Sequence, residues 1–316
     1  MTGHEILIPH TYSSAEKSTL EDELASLEGA PVIVAETPEE TRTGFESATV
    51  ALTPRLPEEW LERASSLEWV QATSAGYDHY DLDALEEREI VLTNAAGVHG
   101  QPIGEQVLGA MLAFERGLLR GRDQQADGVW HSYEGGELAS KTVGVVGLGA
   151  IGGRVAELTS AIGSRVIGTK RDPSSAPDAV DEVYPPDELD EVLRQADYLV
   201  LACPLTDETS GLIDGGALET MPKDAVLVNI ARGEVTDQGA LLEALQQGHI
   251  AGAALDVFTE EPLPQESPLW DLPNVLVTPH MAGSTPHYHE RVAEIVRENY
   301  EHLVAGDLEG MRNRIV

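Results

Sequence analysis

Short apolar runs alternate with amphipathic stretches from the fifth residue onward. The first apolar runs occupy positions 5–10, 31–35 and 49–53. Between them, positions 15–27 and 57–66 carry Leu, Ala or Trp on one helical face and acidic residues on the other. Strands that alternate with amphipathic helices form parallel sheets covered by helices. The first hundred residues are therefore predicted to form an α/β layer structure.

A second alternating block begins at Lys141. Its six apolar runs lie at positions 143–146, 166–167, 198–203, 226–230, 251–257 and 275–278. Six runs are enough for a complete doubly wound sheet. Between the blocks, positions 102–120 predict one long helix, and positions 121–140 predict a polar arm that contains Trp130. A last helix near 285–304 is free to pack on the first block.

The turn after the first strand of the second block carries Gly147, Gly149 and Gly152 in a G-x-G-x-x-G spacing. Directly after an apolar strand and before a helical stretch, this pattern is typical of a dinucleotide-binding turn. The three glycines allow a tight turn, a close approach to the pyrophosphate and close packing of helix on strand. Phosphates would lie on the helix N-terminus, at Ala150 and Ile151. The alternative is a glycine-rich turn without a ligand.

The second strand of this block ends in Lys170, Arg171 and Asp172. NAD-binding turns usually have an acidic residue about twenty positions after the glycines, where this chain has Lys170. Two cations suit the 2′-phosphate of NADP, whereas Asp172 lies two residues later than the usual acid and could still accept a ribose hydroxyl. We therefore predict NADP(H) as the preferred cofactor, with NAD(H) tolerated. The alternative is that both cations are solvated loop charges.

Composition narrows the classes of function. The 316 residues have 55 acidic side chains against 20 basic ones, a formal net charge of -35, which argues against nucleic acid as a partner. No apolar run is long enough to span a membrane, and no targeting segment is evident at the N-terminus. Cys203 is the single cysteine, and no Cys/His spacing suits a metal, so we predict no metal site and a reducing, cytoplasmic location.

The scarcity of lysine changes how the acidic charge is interpreted. Only four of the basic residues are lysines, and the acid-rich, lysine-poor composition resembles that of proteins from extreme halophiles. Concentrated salt screens surface self-repulsion that would loosen such a fold in dilute buffer. We therefore predict that the protein loses activity when salt is removed.

Three apolar runs of the second block end in polar motifs, where parallel sheets present chemistry. The motifs are Asn-Ile-Ala-Arg-Gly ending at 233, Asp-Val-Phe-Thr-Glu-Glu-Pro ending at 262, and Thr-Pro-His ending at 280. Together with the glycine turn, in this order, they resemble the D-isomer-specific 2-hydroxyacid dehydrogenases, which include glyoxylate/hydroxypyruvate reductases. The resemblance covers nearly the whole chain. It implies a nicotinamide-dependent oxidoreductase that interconverts a 2-keto acid and a D-2-hydroxy acid.

The resemblance also implies three catalytic roles. Arg232 would bind the substrate carboxylate and keto oxygen, His280 would be the acid/base, and Glu261 would pair with the histidine. The forked donors of a guanidinium suit a carboxylate beside a carbonyl, and imidazole can supply a proton near neutral pH. The alternatives are a structural histidine, a surface ion pair for Arg232, and Glu260 as the pairing acid.

The family resemblance and the glycine turn together assign a set of cofactor-binding residues. They are Gly147, Gly149, Ala150, Ile151, Gly152, Lys170, Arg171, Cys203, Pro204, Ile230, Ala231, Asp256 and Gly283. The resemblance gives Asp256 the nicotinamide carboxamide, although an aspartate at a strand end can instead satisfy backbone amides. Cys203 is interpreted as a wall beside the nicotinamide and not as a nucleophile.

In the first block, the loop at positions 73–78 resembles the family loop whose backbone N–H groups bind the substrate carboxylate. Ala75 and Gly76 are the candidate residues, with an ordinary turn as the alternative. Asn94 is expected to fix the hinge that leads into the long helix. The expected substrate-binding residues are then Ala75, Gly76, Arg232 and His280.

The predicted architecture is α/β with two doubly wound parallel-sheet domains. A flavodoxin-like substrate-binding domain comprises residues 1–101 and 284–316, and a Rossmann dinucleotide-binding domain comprises residues 102–283, with an active-site cleft between them. By analogy with the family, a homodimer through the long helix and the arm is expected. The alternative function is that of a dinucleotide-sensing co-regulator of the same family with little turnover.

Overall fold

The computed structural model of the protein describes residues 4–27, 29–77 and 79–316. The described residues form two compact units. One comprises residues up to Val98 together with Thr285–Val316, and the other comprises His99–Ser284. Among the described residues, no helix is both long enough and apolar enough to cross a bilayer.

The first unit is built on five parallel strands in the order β2-β1-β3-β4-β5, which is the flavodoxin-like order. The strands are β1 (Ile6–Ile8), β2 (Val32–Val34), β3 (Val50–Thr53), β4 (Trp69–Ala72) and β5 (Val91–Thr93). Its helices are α1 (Ser14–Leu24), α2 (Pro38–Gly44), α3 (Glu58–Leu61), α4 (Leu82–Glu87) and, from the C-terminal part of the chain, α11 (Tyr288–Ala305). Side chains of α1 and α11 share one core cluster with β1, β3 and β4.

The second unit is built on seven parallel strands in the order β12-β11-β10-β9-β6-β7-β8. The strands are β6 (Thr142–Val146), β7 (Arg165–Thr169), β8 (Glu182–Tyr184), β9 (Tyr198–Leu201), β10 (Val226–Asn229), β11 (Gly252–Leu255) and β12 (Val275–Val277). The helices are α5 (Gly100–Glu115), α6 (Leu118–Ala126), α7 (Ala150–Ile162), α8 (Leu189–Leu193), α9 (Gly215–Thr220) and α10 (Gln238–Gln247). Core clusters cover both faces of this sheet. The strand order reverses between β6 and β9, where such sheets bind ligands.

The prediction of one long helix over positions 102–120 is wrong. The helix α5 ends at Glu115 and α6 begins at Leu118. Gly117 between them has a φ of 64°, a left-handed conformation that favours glycine. A Cβ at this position would lie 2.8 Å from the ring of Tyr133, so the arm packs against the break.

One strand of the second sheet was not predicted. The short β8 pairs with β7 at the sheet edge and is partly exposed. Its sequence, Glu-Val-Tyr, has a single aliphatic residue and therefore lacks the apolar run that marks the buried strands.

Candidate active site

The three glycines of the turn after β6 lie in different environments, and each environment bears differently on why glycine is present. Gly147 has a φ of 97°, and a Cβ there would lie 2.8 Å from Cys203 Cα. A Cβ on Gly152 would lie 2.1 Å from the carbonyl oxygen of Gly147, so glycine allows α7 to pack on the turn. By contrast, a Cβ on Gly149 would meet no atom within 4 Å. The fold itself therefore does not require glycine at position 149, and the open space beside it suits a ligand.

The N-terminus of α7 opens onto the same space. Gly149 is the N-cap residue, no side chain caps the helix, and Ala150 and Ile151 are its first two residues. The first N–H groups of a helix have no partner within the helix and carry partial positive charge. A pyrophosphate group supplies the acceptors that such a terminus lacks. The residues present therefore fit a dinucleotide.

The charged residues at the end of β7 differ in their contacts. Lys170 Nζ donates to the carbonyl oxygen of Leu148, 2.8 Å away, which brings this cation to the glycine turn. Arg171 is 77% exposed and forms a 3.8 Å ion pair with Glu208. Asp172 accepts hydrogen bonds from Ser174, and these bonds lower the pKa of its carboxyl.

Cys203 and Pro204 follow β9, at the point where the strand order reverses. The backbone of Cys203 lies against Gly147, as the close approach described above requires. Its side chain is buried, and burial raises the pKa of the thiol. A raised pKa disfavours the thiolate, so Cys203 lines the turn without the properties of a nucleophile.

His280 and Glu261 are in direct contact. His280 Nδ1 lies 2.7 Å from Glu261 Oε2, while Glu261 Oε1 accepts from the backbone N–H of Phe258 at 3.0 Å. The histidine has a φ of 49° and leaves 49% of its side chain exposed. Burial alone would raise the pKa of the Glu261 carboxyl, but the hydrogen bonds from His280 and Phe258 and the charges of His280 and Arg232 lower it. The carboxylate therefore stays ionised beside the imidazole.

Arg232 is held by the turn that follows β10. Asn229 Nδ2 donates to the Arg232 carbonyl oxygen at 3.0 Å, and Asn229 Oδ1 accepts from the N–H of Ala231. Gly233 packs against the backbone of Phe258, where a Cβ would come within 2.0 Å. The guanidinium donates to the Ala231 carbonyl oxygen and, among the described residues, makes no ion pair within 4 Å. Its other donors are available to a ligand.

The strands β10, β11 and β12 are neighbours in the sheet and bring Arg232, Glu261 and His280 to the same edge. Each of these residues follows the carboxyl end of one of these strands. The carboxyl ends of parallel strands lie at the same edge of the sheet. The charge of Arg232 is close enough to lower the pKa of Glu261. The structure therefore brings together a cation, an imidazole and a carboxylate, and the acid in contact with His280 is Glu261.

Asp256 is buried and satisfies the loop that carries His280. Its carboxylate accepts from the backbone N–H groups of Met281 and Ala282, at 3.0 and 2.9 Å, and from Thr278 Oγ1 at 2.5 Å. Its carbonyl oxygen accepts from the His280 N–H at 2.8 Å. These contacts agree with the alternative stated for Asp256, that its carboxylate satisfies backbone amides. Asp256 contacts the histidine loop on both sides of His280.

The remaining candidate residues lie in loops at the ends of strands. Ile230 and Ala231 are buried at the end of β10. Gly283 packs against His99, whose Nδ1 lies 3.1 Å from the Gly283 carbonyl oxygen. In the first unit, Ala75 and Gly76 are exposed in the loop after β4, and Asp78 lies outside the described residues.

Sequence reasoning missed three residues that organise these loops. Asn229 and Gly233 lie inside a motif that was recognised, and the amide and the glycine were the available signals. Tyr288 donates from its phenol to the carbonyl oxygen of Thr73, 215 positions away. No local sequence pattern signals a contact over that distance.

Comparisons with known proteins identify the family. Residues 108–282 match the model of the D-isomer specific 2-hydroxyacid dehydrogenase NAD binding domain. The chain is 36% identical over 267 residues to a glyoxylate reductase of Pyrococcus furiosus, covering 81% of this chain and 79% of the relative. It is 36% identical over 252 residues to a D-3-phosphoglycerate dehydrogenase of Methanocaldococcus jannaschii, covering 78% of this chain, and it spans about half, 48%, of that relative's length.

A solved structure agrees over nearly the whole length. The D-isomer specific 2-hydroxyacid dehydrogenase of Xanthobacter autotrophicus, in complex with NADPH and MES, superposes with a TM-score of 0.77 at 31% identity. The match covers 100% of this chain and 98% of that chain. This chain therefore belongs to the D-isomer specific 2-hydroxyacid dehydrogenase family and is a nicotinamide-dependent oxidoreductase.

Proposed function

We propose that the protein uses NADPH to reduce a small 2-keto acid to the corresponding D-2-hydroxy acid. The observation that carries the proposal is the His280–Glu261 contact of 2.7 Å, at the sheet edge that also presents Arg232. The glycine turn of the same unit supplies a site that fits a dinucleotide. Glyoxylate is the first substrate to test, because relatives such as that of Pyrococcus furiosus are named glyoxylate reductase.

Arg232 is proposed to bind and polarise the substrate. A guanidinium can donate to the substrate carboxylate and to the neighbouring keto oxygen at the same time. Binding the keto oxygen draws electron density away from C2 and makes that carbon a better hydride acceptor. The exposed guanidinium has the free donors that this role needs.

His280 is proposed to supply the proton. When bound, a nicotinamide cofactor supplies the hydride that reaches C2. The new alkoxide oxygen takes a proton from the imidazolium of His280, so that one hydride and one proton convert the ketone to an alcohol. Glu261 holds the ring by its Nδ1 and stabilises its cationic form before the transfer. The reverse reaction uses neutral His280 as the base.

The cofactor preference is proposed to come from Lys170 and Arg171. Lys170 is the stronger candidate because its ammonium group already contacts the glycine turn at Leu148, whereas Arg171 is largely exposed. A charge-assisted contact to a 2′-phosphate would favour NADPH over NADH. The solved relative from Xanthobacter autotrophicus is described in complex with NADPH.

The other candidate residues are proposed to bind the substrate or to hold the catalytic residues in place. We propose that the N–H groups of Ala75 and Gly76 bind the substrate carboxylate, and that Asp256 acts mainly by holding the loop of His280. Cys203, Pro204, Ile230, Ala231 and Gly283 are proposed to line the cofactor site. We also propose a homodimer through the arm, because Trp130 is fully exposed and Leu118 and Val129 are more than half exposed nearby in the chain.

The proposal is tested by measuring reduction of glyoxylate, hydroxypyruvate, pyruvate and 2-ketoisocaproate with NADPH and with NADH, in high salt. We expect turnover of at least one acid and a preference for NADPH. Lys170→Asp should reduce that preference by about tenfold or more, because it replaces a charge-assisted contact by a repulsive one. Lys223→Asp, the same change in charge on an exposed lysine before β10, is the control and should leave the preference unchanged. Absence of turnover with all four acids would favour the co-regulator instead.

Gly149→Ala separates the role of a ligand-facing glycine from that of a structural one. Because its Cβ would enter open space, the variant should keep its melting temperature while the Kd for NADPH rises by about tenfold or more. Gly109→Ala is the matched control, since its Cβ also meets no atom within 4 Å, and it should bind NADPH normally. Gly152→Ala should instead destabilise the fold. An unchanged Kd for Gly149→Ala would contradict the placement of the pyrophosphate.

A further inference from the structure

The loop after β4, residues 73–77, is anchored at its first residue by two phenols. Tyr288 Oη, at the start of α11, donates to the carbonyl oxygen of Thr73. Tyr12 Oη lies 2.7 Å from Thr73 Oγ1, and both partners of this contact are buried. The two tyrosines come from opposite ends of the chain. The backbone of the first loop residue is therefore bound to α11, and its side chain to the segment that precedes α1.

The next three carbonyl oxygens of the loop also accept hydrogen bonds. Ala95 N donates to the Ser74 carbonyl oxygen at 3.0 Å, and Asn94 Nδ2 donates to that of Ala75 at 2.7 Å. The Gly76 carbonyl oxygen accepts from Ser74 Oγ at 2.7 Å. Four successive carbonyl groups therefore have donors within the first unit.

In contrast to these carbonyl groups, the backbone N–H groups of the same loop have no hydrogen-bond partner among the described residues. They belong to Ser74, Ala75, Gly76 and Tyr77. Ala75 and Gly76 are exposed, and a Cβ on Gly76 would meet no atom within 4 Å. Successive backbone N–H groups without acceptors form a site for an anion. The carbonyl anchors thus determine where these donors point.

We propose that Tyr288 is a positioning residue that orients the N–H groups of this loop toward the substrate carboxylate. The inference rests on the proposed function and deepens it, because it assigns a residue on the last helix to substrate binding. Without the phenol, the peptide between Thr73 and Ser74 can rotate, and this rotation changes the direction of the Ser74 N–H and the path of the loop that follows. Burial raises the pKa of the Tyr288 phenol, so it stays protonated as a donor at alkaline pH.

Tyr288→Phe tests the proposal, because it removes the hydroxyl and keeps the ring. We expect the KM for the 2-keto acid to rise about tenfold, with kcat within about twofold and the Kd for NADPH unchanged. Tyr300→Phe is the matched control on the same helix, since its phenol donates to the His4 carbonyl oxygen at 3.5 Å, away from the loop. Its KM should equal that of the wild type. A KM for Tyr288→Phe equal to that of the control would overturn the proposal.

A purely structural role for Tyr288 would lower stability without separating KM from kcat. Melting temperatures of the two variants are therefore compared, and they should be similar. Tyr12→Phe is the second variant, in case Tyr288→Phe folds poorly, and it should also raise KM through Thr73. Loss of stability with an unchanged KM in both loop variants would contradict a positioning role.

Oxalate binding distinguishes failure of this proposal from failure of the proposed function. Oxalate has two adjacent carboxylates and cannot be reduced by hydride here, so its Kd is measured by calorimetry on the cofactor-saturated enzyme. If the wild type binds oxalate but reduces none of the acids, and Tyr288→Phe binds it about tenfold more weakly, the positioning role stands and the reductase does not. If the wild type reduces the acids and the Kd for oxalate is the same for Tyr288→Phe as for the control Tyr300→Phe, the positioning role is wrong. A wild type that does neither overturns both.

Discussion

Replacing His280 by asparagine is expected to lower kcat for 2-keto acid reduction by about 10²- to 10⁴-fold, the usual contribution of a general acid. The amide side chain can still approach Glu261 but cannot donate a proton to the developing alkoxide. The Kd for NADPH should stay within about twofold, because the glycine turn is untouched. Single-turnover rates with NADPH and the preferred acid provide the measurement.

His287→Asn is the matched control for this change. His287 Nδ1 also lies 2.7 Å from a glutamate, Glu290 Oε2, and its side chain is exposed to a similar degree. The two histidines thus share residue type, partner and distance, and differ in their place in the fold. A loss of activity in His287→Asn as large as that in His280→Asn would show that the histidine–glutamate contact alone does not mark the catalytic site.

The pH dependence follows from the lowered pKa of Glu261. Because this carboxyl stays ionised below its ordinary pKa, the His280–Glu261 contact keeps its carboxylate when the pH falls, and the contact is lost as the pH passes below the lowered pKa. Initial rates of reduction measured against pH should therefore persist into acid solution and fall only as Glu261 becomes protonated. In Glu261→Gln, whose side chain carries no charge at any pH, this acid-side fall should be absent.

The placement of the motifs of the second unit could be predicted from the sequence because each motif is local. Gly147, Gly149 and Gly152 lie within six positions, between a strand and a helix, and their spacing is set by the turn itself. Arg232, Glu261 and His280 are far apart in the chain, yet each ends a strand. Since the carboxyl ends of parallel strands meet at one edge, identifying the strands was enough to bring the three residues together.

The features that were missed depend on packing between distant segments. The break after α5 lies at Gly117, which has a left-handed φ of 64° and packs against Tyr133, whereas the helical periodicity alone continues through that point. The alternative stated for Asp256, that it satisfies backbone amides, agrees with its contacts, but no sequence pattern identifies those amides as the N–H groups of Met281 and Ala282. The contact between Tyr288 and Thr73 likewise exists only in the folded unit.

Removing salt is expected to inactivate the protein. The formal net charge is -35, so at least 35 carboxylates have no basic side chain of their own, and Asp256 is the one acidic side chain in the buried set among the described residues. Lowering the salt from about 1 M to about 0.1 M lengthens the Debye screening distance from about 3 Å to about 10 Å. Repulsion between neighbouring surface carboxylates then acts over several residues. We expect activity to fall about tenfold or more and the melting temperature to fall by about 10 °C.

The cause of this loss is tested by changing the screening without changing water activity. Sucrose at the same osmolality strengthens apolar burial but carries no charge, so it should restore less stability than potassium chloride. Lowering the pH toward the sequence pI of about 4.4 neutralises carboxylates and should partly replace salt for stability. An enzyme equally active and equally stable in dilute neutral buffer would contradict the electrostatic argument, because 55 acidic residues would then coexist on one folded chain without concentrated salt to screen them.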